Sequence, residues 1–222
     1  MPRYKVVEIF ESINGESKRA GQLALFVRFK GCNLDCSYCD TKWANSSDTK
    51  YTLLSEDEIY NIALESKIKN ITLTGGEPLL QDNIGVLLEK LLFDGNFNVE
   101  IETNGSVSLE EFRKNFNTLS FTMDYKLPAS NMELQMNLDN FRYISYNDTV
   151  KFVTSNITDL ESSREIMEKY HLIGRCAIYL SPVYGEINLQ DMVEFMKKHK
   201  MNGVNLQLQL HKIIWDPNAK GV

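Results

Sequence analysis

Apolar and polar positions along the chain fall into two alternating rhythms. Short apolar runs rich in β-branched and aromatic residues predict strands, and longer stretches with apolar residues three and four apart predict helices. Tyr4 to Phe10 alternates weakly and predicts a first strand. Leu23 to Phe29 is strongly apolar and predicts a buried strand, with Arg28 as its one charged member. Ser55 with Glu58 three residues on forms a capping box, opening a helix whose apolar face runs through Ile59, Ile62 and Ala63. Asn70 to Thr74 predicts a strand that stops abruptly at Gly75-Gly76-Glu77-Pro78. Asp82 to Phe93 predicts a helix with Ile84, Leu87, Leu88, Leu91 and Leu92 on one side.

The same unit then recurs. Val99 to Thr103 predicts a strand and Leu109 to Asn115 a short helix; Leu119 to Asp124 predicts the next strand. Helical propensity follows around Met132 to Leu138. Val150 to Thr154 and Cys176 to Leu180 predict strands, each followed by a helix, Asp159 to His171 and Leu189 to Lys200. Val204 to Leu210 predicts the last strand, and a short tail ends at Val222. About six strand–helix alternations with short connections predict a parallel sheet. Six units fall short of an eight-fold barrel. The expected fold is therefore α/β, an open partial (β/α)6 barrel with its helices outside, in one domain spanning residues 1–222. Polar and glycine-rich residues gather where the strands end, at 32–41, 74–78, 102–105, 124–126, 181–183 and His211. In a parallel barrel these ends share one face, where active sites are built.

Composition narrows the function without naming it. The 222 residues carry a net charge of −6, and no Lys/Arg block exceeds two residues. That argues against a nucleic-acid grip built on phosphate neutralisation. Apolar runs reach about five residues, far below a roughly 20-residue membrane span. No apolar signal-peptide core follows Met1-Pro2-Arg3-Tyr4, so the expected compartment is the cytoplasm.

Of four cysteines, three sit in one loop, Gly31-Cys32-Asn33-Leu34-Asp35-Cys36-Ser37-Tyr38-Cys39-Asp40-Thr41. In a reducing compartment such a cluster reads as metal-binding. Structural zinc takes four ligands, usually from two separated pairs, and no further Cys or His lies near the loop. Three thiolates at C-x3-C-x2-C spacing instead suit three corners of an iron–sulfur cube with one iron left open. Cys176, at a strand start, reads as a buried small hydrophobe.

This triplet, with Tyr38 before its last cysteine, resembles the signature of the radical S-adenosylmethionine enzymes. The resemblance implies a [4Fe–4S] cluster on Cys32, Cys36 and Cys39. Its open iron would chelate S-adenosylmethionine, which one-electron reduction cleaves to methionine and a 5′-deoxyadenosyl radical. Thr74-Gly75-Gly76-Glu77-Pro78 resembles the glycine turn against the cofactor's methionine end. Ile13-Asn14-Gly15-Glu16, Arg28, Cys39-Asp40-Thr41, Glu102-Thr103-Asn104-Gly105 and Gln209-Leu210-His211-Lys212 resemble one subgroup, the 7-carboxy-7-deazaguanine synthases, from about Val7 to Val222.

The subgroup's reaction implies a small pterin substrate, 6-carboxy-5,6,7,8-tetrahydropterin, and loss of ammonia during ring contraction. It implies Mg²⁺ at Thr41. It implies cofactor contacts at Tyr38, Cys39, Asp40, Gly76, Glu77, Asp124, Lys126, Ser181, Val183 and Tyr184. Substrate contacts would fall at Ile13, Asn14, Gly15, Glu16, Arg28, Thr74, His211 and the terminal Val222. Glu102 is the carboxylate expected to move protons. The family usually has Gln-Gly-Glu-Gly where this chain has Asn14-Gly15-Glu16-Ser17, and Ser-Pro-Lys where it has Asp124-Tyr125-Lys126. A flavodoxin- or ferredoxin-like reductant and a homodimer are further implied. The alternative is a glycyl-radical-enzyme activase, which shares the triplet but acts on a protein partner.

Overall fold

The computed structural model describes residues 2–222. Its frame is one nine-stranded sheet. The hairpin of β1 (Tyr4–Ile13) and β2 (Leu23–Phe29) is antiparallel, with Glu8 opposite Arg28. A short β3 (Thr52–Leu54) pairs antiparallel with the other edge of β1. From β2 onward every pairing is parallel, through β4 (Asn70–Gly75), β5 (Asn98–Thr103), β6 (Ser120–Tyr125), β7 (Thr149–Thr154), β8 (Ala177–Pro182) and β9 (Val204–Leu206). The order β3-β1-β2-β4-β5-β6-β7-β8-β9 leaves the sheet open at β3 and β9. This is the α/β arrangement the alternation predicts.

Helices α1 (Lys42–Asn45), α2 (Glu56–Ser66), α3 (Ile84–Leu92), α4 (Glu110–Asn115), α5 (Ile157–Lys169), α6 (Leu189–Lys198) and α7 (Leu210–Ile214) fill the connections. The Ser55/Glu58 capping box forms at the start of α2, a motif that stabilises by ~1 kcal/mol. Leu87, Leu88 and Leu91 bury one face of α3 completely, each contributing roughly 1.5–3 kcal/mol.

Four expectations shift. The first strand runs on to Ile13, because its pairing with β2 continues to Leu23. β3 and α1 arise inside what reads as loop. Between β6 and β7 no α-helix forms; 3-10 turns at Pro128–Ser130, Glu133–Gln135 and Leu138–Arg142 take its place. The last strand stops at Leu206. Beyond it the chain leaves the sheet edge, Leu210 N–H bonds to the Gly15 carbonyl (3.1 Å), and His211 lies on α7 rather than at a strand end.

Strand periodicity sorts the two faces of the sheet. Ile71, Leu73, Val99, Ile101, Phe121, Met123, Val150 and Phe152 belong to the apolar core. The intervening Thr72, Thr74, Glu100, Glu102, Thr122, Asp124 and Lys151 point the other way, into a polar lumen. The 14–22 loop of the β1–β2 hairpin plugs this lumen. Thr72 donates to Asn14 Oδ1 (3.0 Å), Thr122 donates to Glu100 and accepts from the Ser17 hydroxyl (3.0 Å), and Arg19 donates to Glu100 (3.2 Å). Gln207, just past β9, bonds both backbone groups of Ser17. The plug thereby ties the hairpin side of the sheet to its far edge.

Candidate active site

A cavity of about 730 Å³ opens where the parallel strands end. The cysteine loop forms one wall. It leaves β2 through Gly31, whose φ of +102° suits glycine. Gly31 N–H donates to Asn45 Oδ1 (3.2 Å), and Glu77 N–H donates to the Gly31 carbonyl (2.9 Å). Gly76 lies so close that a Cβ there would sit 2.1 Å from Gly31 O and 2.4 Å from Asn45 Oδ1. The glycine turn after β4 therefore clasps the cysteine loop itself. Ser37 is held by the Ala129 and Ser130 carbonyls, and Tyr38 donates to the Val153 carbonyl (3.3 Å).

All three loop thiols line the cavity. Cys32 Sγ accepts from Leu34 N–H (3.4 Å) and Asn104 Nδ2 (3.6 Å), donors that also suit a thiolate. Burial pushes the Cys36 and Cys39 thiols up, and the neighbouring cysteines add to this, while Lys126 opposes it. Cys176 is remote from the loop. It directly precedes β8, its thiol faces the Leu172 carbonyl at 3.8 Å, and burial pushes it up to about 11. Among the described residues no three His, Cys, Asp or Glu side chains are grouped closely enough to hold a metal ion. Three soft donors from one loop, with amide donors and a lysine beside them, fit a cluster with three protein ligands.

Opposite the thiols lies Arg28. Its Nε donates to Glu8 Oε1 (2.7 Å), and its guanidinium lies over the rings of Phe10 (5.5 Å) and Trp43 (5.9 Å). Its terminal nitrogens donate to no described residue, leaving a fork for an anion. Phe10 stacks on Phe26 at 4.9 Å to complete an aromatic wall. Thr41 donates to Asp40 Oδ1 (2.9 Å), which frees its oxygen lone pairs for a cation, and Lys212 holds Asp40 Oδ2 at 3.3 Å. Thr74 donates to Glu102 across β4 and β5 (2.6 Å). His211 packs on Gly15, where a Cβ would fall 2.3 Å from Nδ1. Burial and Lys212 hold its imidazole below the ordinary value despite Glu16.

Of the residues singled out from sequence, Ile13, Gly15, Glu16, Arg28, Cys32, Cys36, Tyr38, Cys39, Asp40, Thr41, Thr74, Gly76, Glu102, Asp124, Lys126, Val183, Tyr184, His211 and Val222 line the cavity. Three do not line it. Asn14 turns its amide into the lumen, where Oδ1 takes the Thr72 hydroxyl. Ser181 is fully buried and does not line the cavity. Glu77 is fully buried as an internal tie, accepting from Leu79 N–H, Thr103 Oγ1 and Asn104 N–H. Sequence reasoning missed Lys151, Trp43 and the tail from Pro217 to Gly221, all of which line the cavity.

A family model described as the radical SAM superfamily matches residues 26–126, the stretch from β2 through Lys126. Over 219 residues, 99% of both chains, the sequence is 55% identical to a 7-carboxy-7-deazaguanine synthase from Clostridium acetobutylicum. The chain belongs to the 7-carboxy-7-deazaguanine synthase family. A relative of the same name from Chlorobaculum tepidum is 34% identical over 221 residues, covering 98% of this chain and 96% of that one. The crystal structure of QueE from Escherichia coli superposes with a TM-score of 0.74 at 19% identity, covering 93% of this chain and 94% of that one; it bears on the fold alone. As a radical SAM enzyme the chain uses a [4Fe–4S] cluster and S-adenosylmethionine, and its three loop thiols supply a matching donor set. Among the described residues no helix is long and apolar enough to cross a membrane.

Proposed function

We propose that the chain, acting over residues 1–222 as one radical SAM core domain, is a carbon–nitrogen lyase. It converts 6-carboxy-5,6,7,8-tetrahydropterin to 7-carboxy-7-deazaguanine and ammonia. The observation that carries this reading is the convergence on one cavity of the three thiols, the Thr41 hydroxyl and the Arg28 fork. When bound, the cluster and S-adenosylmethionine supply hydrogen-atom abstraction from an unreactive carbon.

The protein's own residues bind and orient. Arg28, fixed by Glu8 and two aromatic rings, takes the substrate carboxylate. Thr41 would offer one hard oxygen to Mg²⁺, which would supply a positive charge for the substrate carboxylate. Glu16, Thr74 and His211 contact the pterin, and the neutral His211 ring can donate or accept there. Glu102, tied to Thr74, holds or moves a proton. Asp124, Lys126, Val183 and Tyr184 border the cofactor. Residues 217–222 line the cavity and exclude water from it. They also narrow the approach a protein partner would need, which favours a small substrate over the activase alternative. The enzyme works in the cytoplasm as a homodimer, reduced by a flavodoxin- or ferredoxin-like protein.

Anaerobic turnover with the tetrahydropterin, with and without Mg²⁺, tests this. A 7-deazaguanine product that depends on Mg²⁺ is expected. Deoxyadenosine formation without any deazapurine would overturn the substrate assignment.

A further inference from the structure

Lys151 is a charge set in the apolar run of β7, and it bridges two carboxylates from different parts of the chain. Its Nζ lies 3.0 Å from Glu16 Oε2, on the hairpin loop, and 3.7 Å from Asp124 Oδ2, on β6. The Lys151 and Glu16 side chains are only 12% and 11% exposed. Gln209 Nε2 also donates to Glu16 Oε2 (3.5 Å), and Lys126 faces Asp124 Oδ2 (3.0 Å). Each carboxylate is thus engaged through one oxygen. The other oxygens, Glu16 Oε1 and Asp124 Oδ1, are buried without a hydrogen-bond partner.

A buried acceptor left without a donor is costly. Both residues line one cavity, although the two oxygens themselves are closed off from it, and the Ser181 hydroxyl lies beside the Glu16 carboxylate. Fixing one oxygen of a carboxylate to an ammonium also fixes the direction of the other. Without the ammonium, two buried carboxylates would face each other's field, and one would take up a proton or turn away. Burial raises the Glu16 carboxyl, but Lys151 outweighs it and holds the group below its ordinary value.

We propose that Lys151 is a positioning residue, gripping Glu16 and Asp124 and so setting how each carboxylate meets a ligand in the cavity. The Glu16 carboxylate would then accept from the N–H edge of the pterin, and the Asp124 carboxylate from an ammonium or hydroxyl donor of the cofactor. The Glu16 half rests on the reaction proposed above; the Asp124 half rests only on membership of the radical SAM family.

The test is anaerobic calorimetry on cluster-loaded enzyme without reductant, so that no turnover occurs. The titrants are S-adenosylmethionine alone and then 6-carboxytetrahydropterin. Lys151→Met should weaken pterin binding about a hundredfold, as expected for removing one member of a buried hydrogen-bonded pair. Glu16→Gln should weaken it as well, and the double variant little more than either. The same non-additivity with Asp124→Asn is expected for S-adenosylmethionine. Lys151→Arg, which keeps the charge, should restore most of both affinities. Lys151→Gln replaces Met in the cycles if the Met variant does not fold.

Wild-type affinity in the Lys151 variants would overturn the proposal. So would a loss of unchanged size in the Glu16→Gln and Asp124→Asn backgrounds, since Lys151 would then not act through those carboxylates. Wild-type enzyme that binds S-adenosylmethionine but not the pterin would sink the substrate reading and the Glu16 half with it. The cofactor cycle would still decide the Asp124 half.

Discussion

Replacing Gly76 by alanine tests whether the glycine turn holds the cysteine loop in place. The added Cβ would stand 2.1 Å from the Gly31 carbonyl oxygen and 2.4 Å from Asn45 Oδ1. Ordinary contact needs at least ~3 Å, and the Gly31 oxygen is backbone that cannot swing aside. Relief must come from moving Gly31 or the turn. Either movement strains the Glu77 N–H bond to Gly31 O (2.9 Å) and the Gly31 N–H bond to Asn45 (3.2 Å). Overpacking costs ~1–3 kcal/mol, and each weakened bond adds ~1 kcal/mol. A loss of ~3–5 kcal/mol is expected, no more than the usual stability of a domain, so the chain should still fold.

The functional effect is larger than the energetic one, because Cys32 is the next residue after Gly31. Urea unfolding of the apo-protein reads the stability term. Iron and sulfide per chain after anaerobic reconstitution read the position of the thiol, and less than half the wild-type content is expected. Gly85→Ala is the control. Gly85 sits in α3, nothing lies within 4 Å of the point where its Cβ would stand, and alanine should gain up to ~1 kcal/mol of helix stability. A Gly76→Ala protein with wild-type stability and a full cluster would refute the clasp.

Three further outcomes follow from named contacts. Burial pushes the Glu77 carboxyl up to about 7, from 4.5, against the donors of Asn104, Leu79 and Thr103. Its contribution to stability is therefore greatest below the unfolded value and is lost as pH rises through 7. Glu77→Gln, which cannot titrate, should gain ~1.3 kcal/mol on the wild type between pH 6 and pH 8 in urea unfolding; a shift of opposite sign would show that the three donors outweigh burial. Asp148, fully buried, takes Arg113 Nη2 between its two carboxylate oxygens, each at 2.7 Å. Asp148→Ala should cost ~3–5 kcal/mol with S-adenosylmethionine affinity unchanged, and a loss near zero would deny the pair a structural role. Thr41→Val should raise the Mg²⁺ needed for half-maximal turnover about tenfold or more, whereas Thr41→Ser should not; identical Mg²⁺ dependence in all three proteins would remove the metal from Thr41.

The strands were legible because their burial is extreme. Leu23 to Phe29, Asn70 to Thr74 and Val99 to Thr103 form close to where their apolar runs place them. The misreadings lie where local propensity yields to long-range bonds. Val204 to Leu210 looks like one strand, but Gln207 turns to Ser17 and Leu210 to Gly15. Those partners lie almost two hundred positions away in the chain, beyond any local pattern. The helix expected near Met132 gives way to 3-10 turns, with Asn137 N–H bonded to the Gly105 carbonyl and Asn140 to the Gly105 and Val107 carbonyls. Each bond takes a polar group that a helix would have used or pointed outward.

The site was legible in its motifs and obscure in its supports. Arg28 drew notice as a charge inside an apolar strand, and Lys151 in Val150-Lys151-Phe152 carries the same signal. Reading period-2 alternation across Ile71 to Thr74, Glu100 to Thr103 and Phe121 to Asp124 would have exposed a polar lumen. A closed, side-chain-filled barrel would place apolar residues at those positions. The open sheet instead fills its interior with the 14–22 loop, whose Asn14, Ser17 and Arg19 satisfy Thr72, Thr122 and Glu100. That explains why Asn14 is not at the cavity while Gly15 and Glu16 are. The loop is bonded from below by the lumen, so its upper turn is held rigid at the cavity floor. The substitution of asparagine for the family's usual glutamine then bears on how firmly the plug is seated. The same logic places Lys151, which joins the lumen face of β7 to that upper turn, among the residues that decide where Glu16 points.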